Sequence, residues 1–148
     1  MAITQGQTTS FKSELLTAIH AFSTTVVRAG TTADTFKIAL YTSSATLNAD
    51  TTVYSSTNEV AGTGYSAGGA TLTAVTVATA SGVAYVDFAD VSWTTASFTA
   101  AGALIYNSSQ GNKAVVVLSF GSDKTATAQT FLITFPANSY TTAIVRIE

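Results

Sequence analysis

Alternation of apolar and polar positions dominates the chain from residue 36 onwards and predicts short β-strands. The first such run, at 36–41, places Phe36, Ile38 and Leu40 on one face, which is the pattern of a half-buried strand. Comparable runs follow at short spacing, at 72–78, 83–88, 114–120, 130–135 and 143–147. We therefore predict a mainly β protein, an antiparallel β-sandwich or jelly-roll-like fold with one N-terminal helix.

The densest group of strand-forming residues runs from 83 to 107 and contains the only tryptophan, Trp93. We predict that this block forms two strands joined by a tight connection that holds Trp93, with a nearly continuous apolar run in the second strand. Further turns are predicted at 79–82, 107–112 and 121–123, where Gly, Ser, Asn and Asp cluster. The first two of these turns would each close a hairpin.

Helical periodicity occurs only near the N-terminus, where four large apolar residues recur at helical spacing: Phe11, Leu15, Ile19 and Phe22. They predict a helix over 11–21, with Ser10 as its N-cap and Glu14 near the positive end of the helix dipole. Residues 1–9 show no periodic pattern and are predicted to form a flexible N-terminal arm. The remainder, 10–148, is predicted to be one β-rich domain, since a chain of this length can bury a sizeable core.

A long polar span at 42–69 separates the first strand from the others. A loop of this length is unusual in a compact domain, so we predict that packing or a partner orders part of it. Tyr54 and Tyr65 lie in this span and are candidate interface residues, because aromatic side chains near polar loops can anchor a partner. The alternative is that these two tyrosines pin the loop to the sheet.

Composition changes this picture mainly through charge. Only 9% of the residues are charged, against about 25% in an average globular protein. Such a surface suggests contact with other protein, although the strand preference of threonine is an alternative explanation. The net charge is −2, and the 6 basic residues are scattered, so we predict no nucleic-acid binding. No apolar run is long enough to span a bilayer and no signal peptide is recognisable, so we expect a soluble protein without a membrane partner that is not exported by that route.

No residue pattern supports catalysis, a cofactor or a metal. His20 is the only histidine, and Glu14 would lie off its face of the predicted helix, so we predict a structural role for His20. Asp87 and Asp90 lack a third nearby acid for calcium and are interpreted as turn residues. The chain has no cysteine, and the glycine-rich segment at 62–67 lacks the strand and helix that a dinucleotide site requires. We predict that the protein is not an enzyme.

Several segments resemble a family of small proteins encoded by tailed bacteriophages and prophages: SFKSELL at 10–16, His20, DTFKIALYTSSATL at 34–47, NEVAGTGY at 58–65, FAD at 88–90, Trp93 and ALIYN at 103–107. The resemblance covers nearly the whole chain. It implies a structural protein of the virion.

Together with the missing catalytic pattern and the weakly charged surface, this resemblance favours a capsid decoration, or cement, protein. The expected partners are the major capsid protein and further copies of the chain itself, as dimers or trimers. The expected location is the capsid surface of the virion, after synthesis in the cytoplasm of the bacterial host. Two alternatives stay open: a tail, neck or adsorption-apparatus component, and a carbohydrate-binding module that uses Tyr54, Tyr65 or Trp93 as stacking platforms.

Overall fold

The computed structural model describes residues 2–16, 19–22, 33–73 and 77–147. In this part of the chain one short helix and eight strands follow one another: β1 (Gly6–Gln7), α1 (Thr9–Leu16), β2 (Phe36–Tyr41), β3 (Ala70–Leu72), β4 (Ala78–Ala80), β5 (Val83–Val86), β6 (Val91–Asn107), β7 (Lys113–Ile133) and β8 (Val145–Ile147). They form two antiparallel sheets, a larger one with the order β1-β7-β6-β2-β3 and a smaller one with the order β4-β5-β8. The predicted mainly β, sandwich-like fold with one N-terminal helix is confirmed.

The hairpin of β6 and β7 is the longest feature of the larger sheet, with strands of 17 and 21 residues. The predicted turn at 107–112 is confirmed as the loop that closes it. The turn predicted at 121–123 is wrong, because these residues continue β7. At this point β7 contains more residues than the paired part of β6, and the pairing register shifts between Ala100 and Gly102 to accommodate them.

Two predictions about the block at 83–107 are wrong. Residues 83–86 form β5, which pairs with β4 and β8 and not with the following strand. Trp93 lies inside β6 and not in a connection. The error arose because the strand pattern shows which residues are extended but not which sheet they join, and the connection at 87–90 crosses between the sheets.

The hairpin predicted around 79–82 is confirmed in a tighter form, since Ser81 and Gly82 alone separate β4 from β5. Both residues have positive φ angles, 52° and 81°, as the two-residue turns that suit twisted hairpins require. The strand predicted over 72–78 is wrong as a single element, because β3 ends at Leu72 and β4 begins at Ala78 in the other sheet. Residues 74–76 of that prediction lie outside the described residues.

Hydrophobic side chains bury both faces of the central strands. Along β2, the side chains of Phe36, Ile38 and Leu40 enter one core, whereas Ala39 and Tyr41 enter a second core on the opposite face. The first core includes residues of both sheets, and the second is completed by residues from the loop at 42–69 and the N-terminus: Ala45, Leu47, Tyr54 and Ile3. The prediction that β2 is only half-buried is wrong, because this loop covers the face that was expected to meet solvent.

The N-terminal residues lie against the larger sheet and do not form the flexible arm predicted over 1–9. β1 pairs with Val116 and Val117 of β7, and Ile3 forms a bridge with Leu47. A two-residue strand leaves no periodic pattern in a sequence, so the backbone of the sheet edge decides where these residues lie.

The helix is shorter than predicted and is capped by a different residue. Thr8 is fully buried, and its Oγ1 accepts a hydrogen bond of 3.3 Å from the Phe11 amide. Thr8 therefore replaces Ser10 as the N-cap. α1 ends at Leu16, residues 17 and 18 lie outside the described residues, and residues 19–22 are not helical.

Candidate interaction surface

The two tyrosines predicted at an interface converge on one carboxylate, that of Glu59. The Tyr54 hydroxyl donates to Glu59 Oε2 at 2.7 Å, and the Tyr65 hydroxyl donates to Oε1 at 2.6 Å. The Gly68 amide also donates to Oε1, at 2.7 Å. We refer to Tyr54, Glu59, Tyr65 and Gly68 as the loop clamp, since all four belong to the long loop at 42–69.

The loop clamp is attached to the larger sheet by further contacts. The Tyr65 hydroxyl accepts a hydrogen bond from the Leu40 amide of β2 at 2.9 Å, and the Tyr106 hydroxyl of β6 donates to the Gly68 carbonyl at 2.8 Å. The rings of Tyr54 and Tyr106 stack with centroids 4.7 Å apart. Burial, together with the hydrogen bond to Glu59, raises the pKa of both Tyr54 and Tyr65, so both hydroxyls remain donors at neutral pH.

Glycine is required next to this clamp. Gly69 has a φ of 69°, and a Cβ on it would lie 1.8 Å from the Ile38 carbonyl oxygen of β2. The backbone of the loop therefore approaches β2 more closely than any side chain allows. The loop is ordered by packing, which is one of the two outcomes predicted for it.

These contacts bear on the roles predicted for the aromatic residues. The Tyr65 ring lies between Trp93 and Phe98, at centroid distances of 6.0 and 5.6 Å, and Trp93 is only 7% exposed. Trp93 is therefore buried, whereas Tyr54 and Tyr65 are half-buried, and a role of these rings as sugar-stacking platforms stays a prediction. The structure accounts for Tyr54 and Tyr65 by loop packing, and their contact with a partner stays a prediction.

A second polar group joins five segments at the end of the β6–β7 hairpin: Glu14, His20, Asp34, Asn107 and Lys113, which we call the corner cluster. Glu14 Oε2 lies 2.8 Å from His20 Nε2, and Glu14 Oε1 lies 2.6 Å from Lys113 Nζ. The expectation that Glu14 would lie off the face of His20 is wrong, because α1 ends at Leu16 and His20 is not on the helix.

The hydrogen bonds of Asn107 define the state of His20. Asn107 Nδ2 donates to His20 Nδ1 at 3.0 Å and to Asp34 Oδ2 at 2.8 Å, while its Oδ1 accepts from the Ser109 amide at 3.1 Å. His20 Nδ1 is thus an acceptor, and its Nε2 carries the proton that is shared with Glu14. The predicted structural role of His20 agrees with this arrangement, in which both ring nitrogens are engaged.

Two carboxylates of the corner cluster are stabilised as anions. Although burial opposes it, hydrogen bonds from Lys113 and His20 lower the pKa of Glu14. Burial alone would raise the pKa of Asp34, but hydrogen bonds from Gln110, Asn107 and the Ala21 amide lower it below its usual value. The cluster therefore ties the N-terminal segment to the sheet by charge-assisted hydrogen bonds.

Asp87 and Asp90 both bind backbone amides where the chain crosses between the sheets. Asp87 is 1% exposed and accepts from the Phe88 and Ile144 amides at 2.8 and 3.3 Å. Asp90 accepts from the Phe135 amide at 2.9 Å. Burial, and to a smaller extent the charge of Asp90, raises the pKa of Asp87. Both aspartates therefore hold the connection at 87–90 through backbone amides, and these residues do not form the turn predicted for them.

The buried polar side chains of the described residues are hydrogen-bonded. Among the described residues, no buried side-chain nitrogen or oxygen lacks a hydrogen-bond partner, and no group of three His, Asp or Glu side chains could hold a metal ion. Sequence reasoning missed Glu59 and Asn107, although an acid between two tyrosines in a polar loop is a recognisable acceptor. None of the helices in the described ranges has the length and apolar character to cross a membrane.

The outer face of the β6–β7 hairpin is nearly uncharged. Between 91 and 107 β6 has no charged residue, and after Lys113 the only charged residues of β7 are Asp123 and Lys124. Exposed positions in this region are mostly hydroxyl-bearing: Ser92, Thr94, Thr95, Ser97, Thr99, Thr125, Thr127 and Thr130. The side chains of Trp93, Phe98 and Phe131 point the other way, into the core. A protein partner would therefore bind this face through shape complementarity and hydrogen bonds and not through ion pairs.

A groove of about 590 Å³ adjoins the outer edge of β7. Its apolar lining includes Leu118, Phe120, Phe131, Ile133, Phe135 and Ile144. Leu132 also borders the groove and is 58% exposed, more than any other large hydrophobic side chain described. No family model, curated protein or solved structure gives a significant match to the chain.

Proposed function

We propose that this chain is a structural protein of a tailed-bacteriophage virion, and specifically a capsid decoration protein that binds the major capsid protein lattice. The observation that carries the proposal is the long β6–β7 hairpin with its hydroxyl-rich, nearly uncharged outer face. A protein that works alone in solution usually distributes mixed charges over its surface. Here 14 charged residues share 7377 Å² of surface, about one per 500 Å².

The proposal is also supported by what the polar residues do. The loop clamp and the corner cluster direct their hydrogen bonds inward, which is the arrangement of a scaffold and not of a reaction centre. The sequence resemblance to phage and prophage proteins supports the same class. Each copy needs only modest affinity, because oligomers that contact several capsid subunits gain effective concentration without new contacts.

The direct test is to mix the purified protein with expanded capsids that lack it and to measure co-sedimentation and the thermal stability of the particles. We expect saturable binding at micromolar concentration and stabilised capsids. Absence of co-sedimentation, with capsid stability unchanged when the gene is deleted, would refute the proposal.

Copy number per virion separates the capsid from the tail. A cement protein should be present in hundreds of copies, whereas most tail and neck components are present in about a dozen or fewer, as their symmetry requires. A stoichiometry in the lower range would move the protein from the capsid surface to the tail.

A further inference from the structure

We propose that the outer edge of β7 is a self-association surface, which pairs antiparallel with the same edge of a second copy about a two-fold axis. The inference rests on the proposed function for its biological role, since paired copies can bridge capsid subunits. Its physical basis is separate and lies in four features of this edge: missing partners, exposure, apolar lining and charge.

The first feature is that most of this edge has no strand partner. β1 pairs with β7 only at Val116 and Val117. From residue 118 to residue 133, no strand of the described part of the chain pairs with the outer edge of β7, whose other edge is occupied by β6. An unpaired edge of this length presents backbone donors and acceptors to any strand that can approach it.

The second and third features are exposure and an apolar strip. Residues 121–125 and 127–130 are exposed, so no other residue of the described ranges covers them. Leu132 is 58% exposed and borders the groove beside the edge. Isolated edges are usually protected by charged residues or proline, but Pro136 follows the strand and only Asp123 and Lys124 carry charge.

The fourth feature is charge, which is compatible with an identical copy as the partner. The edge carries one acid and one base, so its net charge is zero and an identical edge does not repel it. A two-fold axis near Ala126 would place Leu132 of each copy opposite Phe120 of the other, and Asp123 opposite Gln129. No like charges face each other in this register, and the symmetric contact repeats each favourable pair twice.

The expected interface is small. Sixteen residues at about 3.3 Å each give a strip of at most about 50 Å, and with a width of about 10 Å the dimer would bury on the order of 1,000 Å² in total. The irregular pairing of β7 with β6 near Gly121 and Ala128 bends the edge, which limits continuous backbone pairing. Side-chain contacts at Leu132 and the groove should therefore contribute much of the affinity, and the dimer should dissociate at about micromolar concentration.

The decisive experiment is sedimentation velocity over a concentration series with the full chain and two lysine variants. Leu132→Lys places charge at the proposed interface, and Val53→Lys makes the same kind of change at a 47% exposed residue of the loop at 42–69. We expect the wild type and Val53→Lys to dimerise equally and Leu132→Lys to dimerise at least about tenfold more weakly. Because both sites are exposed, circular dichroism should show folded variants.

A crosslinking measurement keeps the test valid if the lysine variants behave unexpectedly. The chain has no cysteine, so single cysteines report contacts without ambiguity. An equimolar mixture of Thr125→Cys and Thr127→Cys, which lie opposite each other about an axis near Ala126, should form disulfide-linked dimers on mild oxidation, whereas Val53→Cys should not. Wild type that stays monomeric at about 100 µM, or dimers that Leu132→Lys leaves intact, would overturn the inference.

The inference and the capsid proposal fail separately. Dimers that depend on Leu132 but bind no capsid would refute only the decoration role. Capsid binding by a wild type that is monomeric in solution and on the particle would refute only the self-association surface.

Discussion

The loop clamp makes a quantitative prediction for Tyr65→Phe, which removes one hydroxyl and keeps the ring. That hydroxyl accepts a hydrogen bond from the Leu40 amide at 2.9 Å and donates to Glu59 at 2.6 Å. Phenylalanine retains the packing against Trp93 and Phe98, so the change isolates the two hydrogen bonds.

The magnitude follows from the surroundings of each partner. Leu40 is fully buried, so its unpaired amide should cost about 1–3 kcal/mol. Glu59 is only half-buried and keeps two other donors. Loss of the hydrogen bond from Tyr65 to Glu59 should therefore add about 1 kcal/mol after allowance for solvent screening. We expect Tyr65→Phe to lower the free energy of unfolding by about 2–4 kcal/mol.

Urea unfolding at 25 °C, followed by tryptophan fluorescence and circular dichroism, measures this loss. With an m-value of about 2 kcal/mol/M, the midpoint should fall by about 1–2 M at unchanged slope. Tyr54→Phe removes one donor to Glu59 and should cost about 1 kcal/mol. Tyr140→Phe is the matched control at a 42% exposed site and should change stability by less than about 0.5 kcal/mol.

A loss below about 0.5 kcal/mol for Tyr65→Phe would refute the reasoning, because it would mean that the Leu40 amide finds another partner without cost. Equal losses for Tyr65→Phe and Tyr140→Phe would have the same meaning. A normal free energy of unfolding together with weaker capsid binding would support the prediction that Tyr65 is an interface residue.

Three further predictions test the other buried groups. Glu14 has a lowered pKa, so its anion stabilises the fold above its ordinary pKa of 4.5, and this contribution is lost as the pH falls through the lower folded value. Glu14→Gln should therefore make the free energy of unfolding less dependent on pH when it is measured from pH 2 to 7. Asp87 has a raised pKa, so its charge costs stability above the folded pKa and the wild type should gain stability as the pH falls through that value. Asp87→Asn should remove this pH-dependent gain, although it also loses one of the two backbone hydrogen bonds because its amide nitrogen cannot accept; a gain that persists in the variant would contradict this. Leu104 is 0% exposed in the second core, so Leu104→Asp should cost more than the whole stability of the domain and give an unfolded protein by circular dichroism, while a folded variant would contradict the assigned core.

The parts of the fold that could be predicted are those decided by local pattern. Alternation in β2, the Ser81–Gly82 turn and the loop that closes the β6–β7 hairpin are visible in short windows of sequence. The assignment of β5 to the smaller sheet was not visible, because strand pairing depends on which distant backbone is available. Extended residues are therefore easier to predict than their partners.

The polar clusters could not be predicted for a related reason. Glu59 contacts Tyr54 and Tyr65 within a few residues of the sequence. The loop is attached to the sheet, however, by the hydrogen bond between Tyr65 and the Leu40 amide, 25 positions away. His20 meets Asn107 across 87 positions. Spacing along the helix gave the wrong answer for Glu14 and His20, because the contact forms only after the helix has ended.

The placement of charge has a consequence for how any partner binds. Glu14, Asp34 and Lys113 are held in the corner cluster and Glu59 in the loop clamp, so the outer face of the β6–β7 hairpin carries only Asp123 and Lys124 near its edge. A surface of this kind cannot steer a partner over long distances, and association should proceed at the unsteered rate of about 10⁵–10⁶ M⁻¹s⁻¹. Capsid binding measured between about 50 and 500 mM salt should therefore change little, since screening acts only on charges that contribute. A steep loss of affinity with salt would mean that the partner contacts the charged corner cluster and not the hydroxyl-rich face.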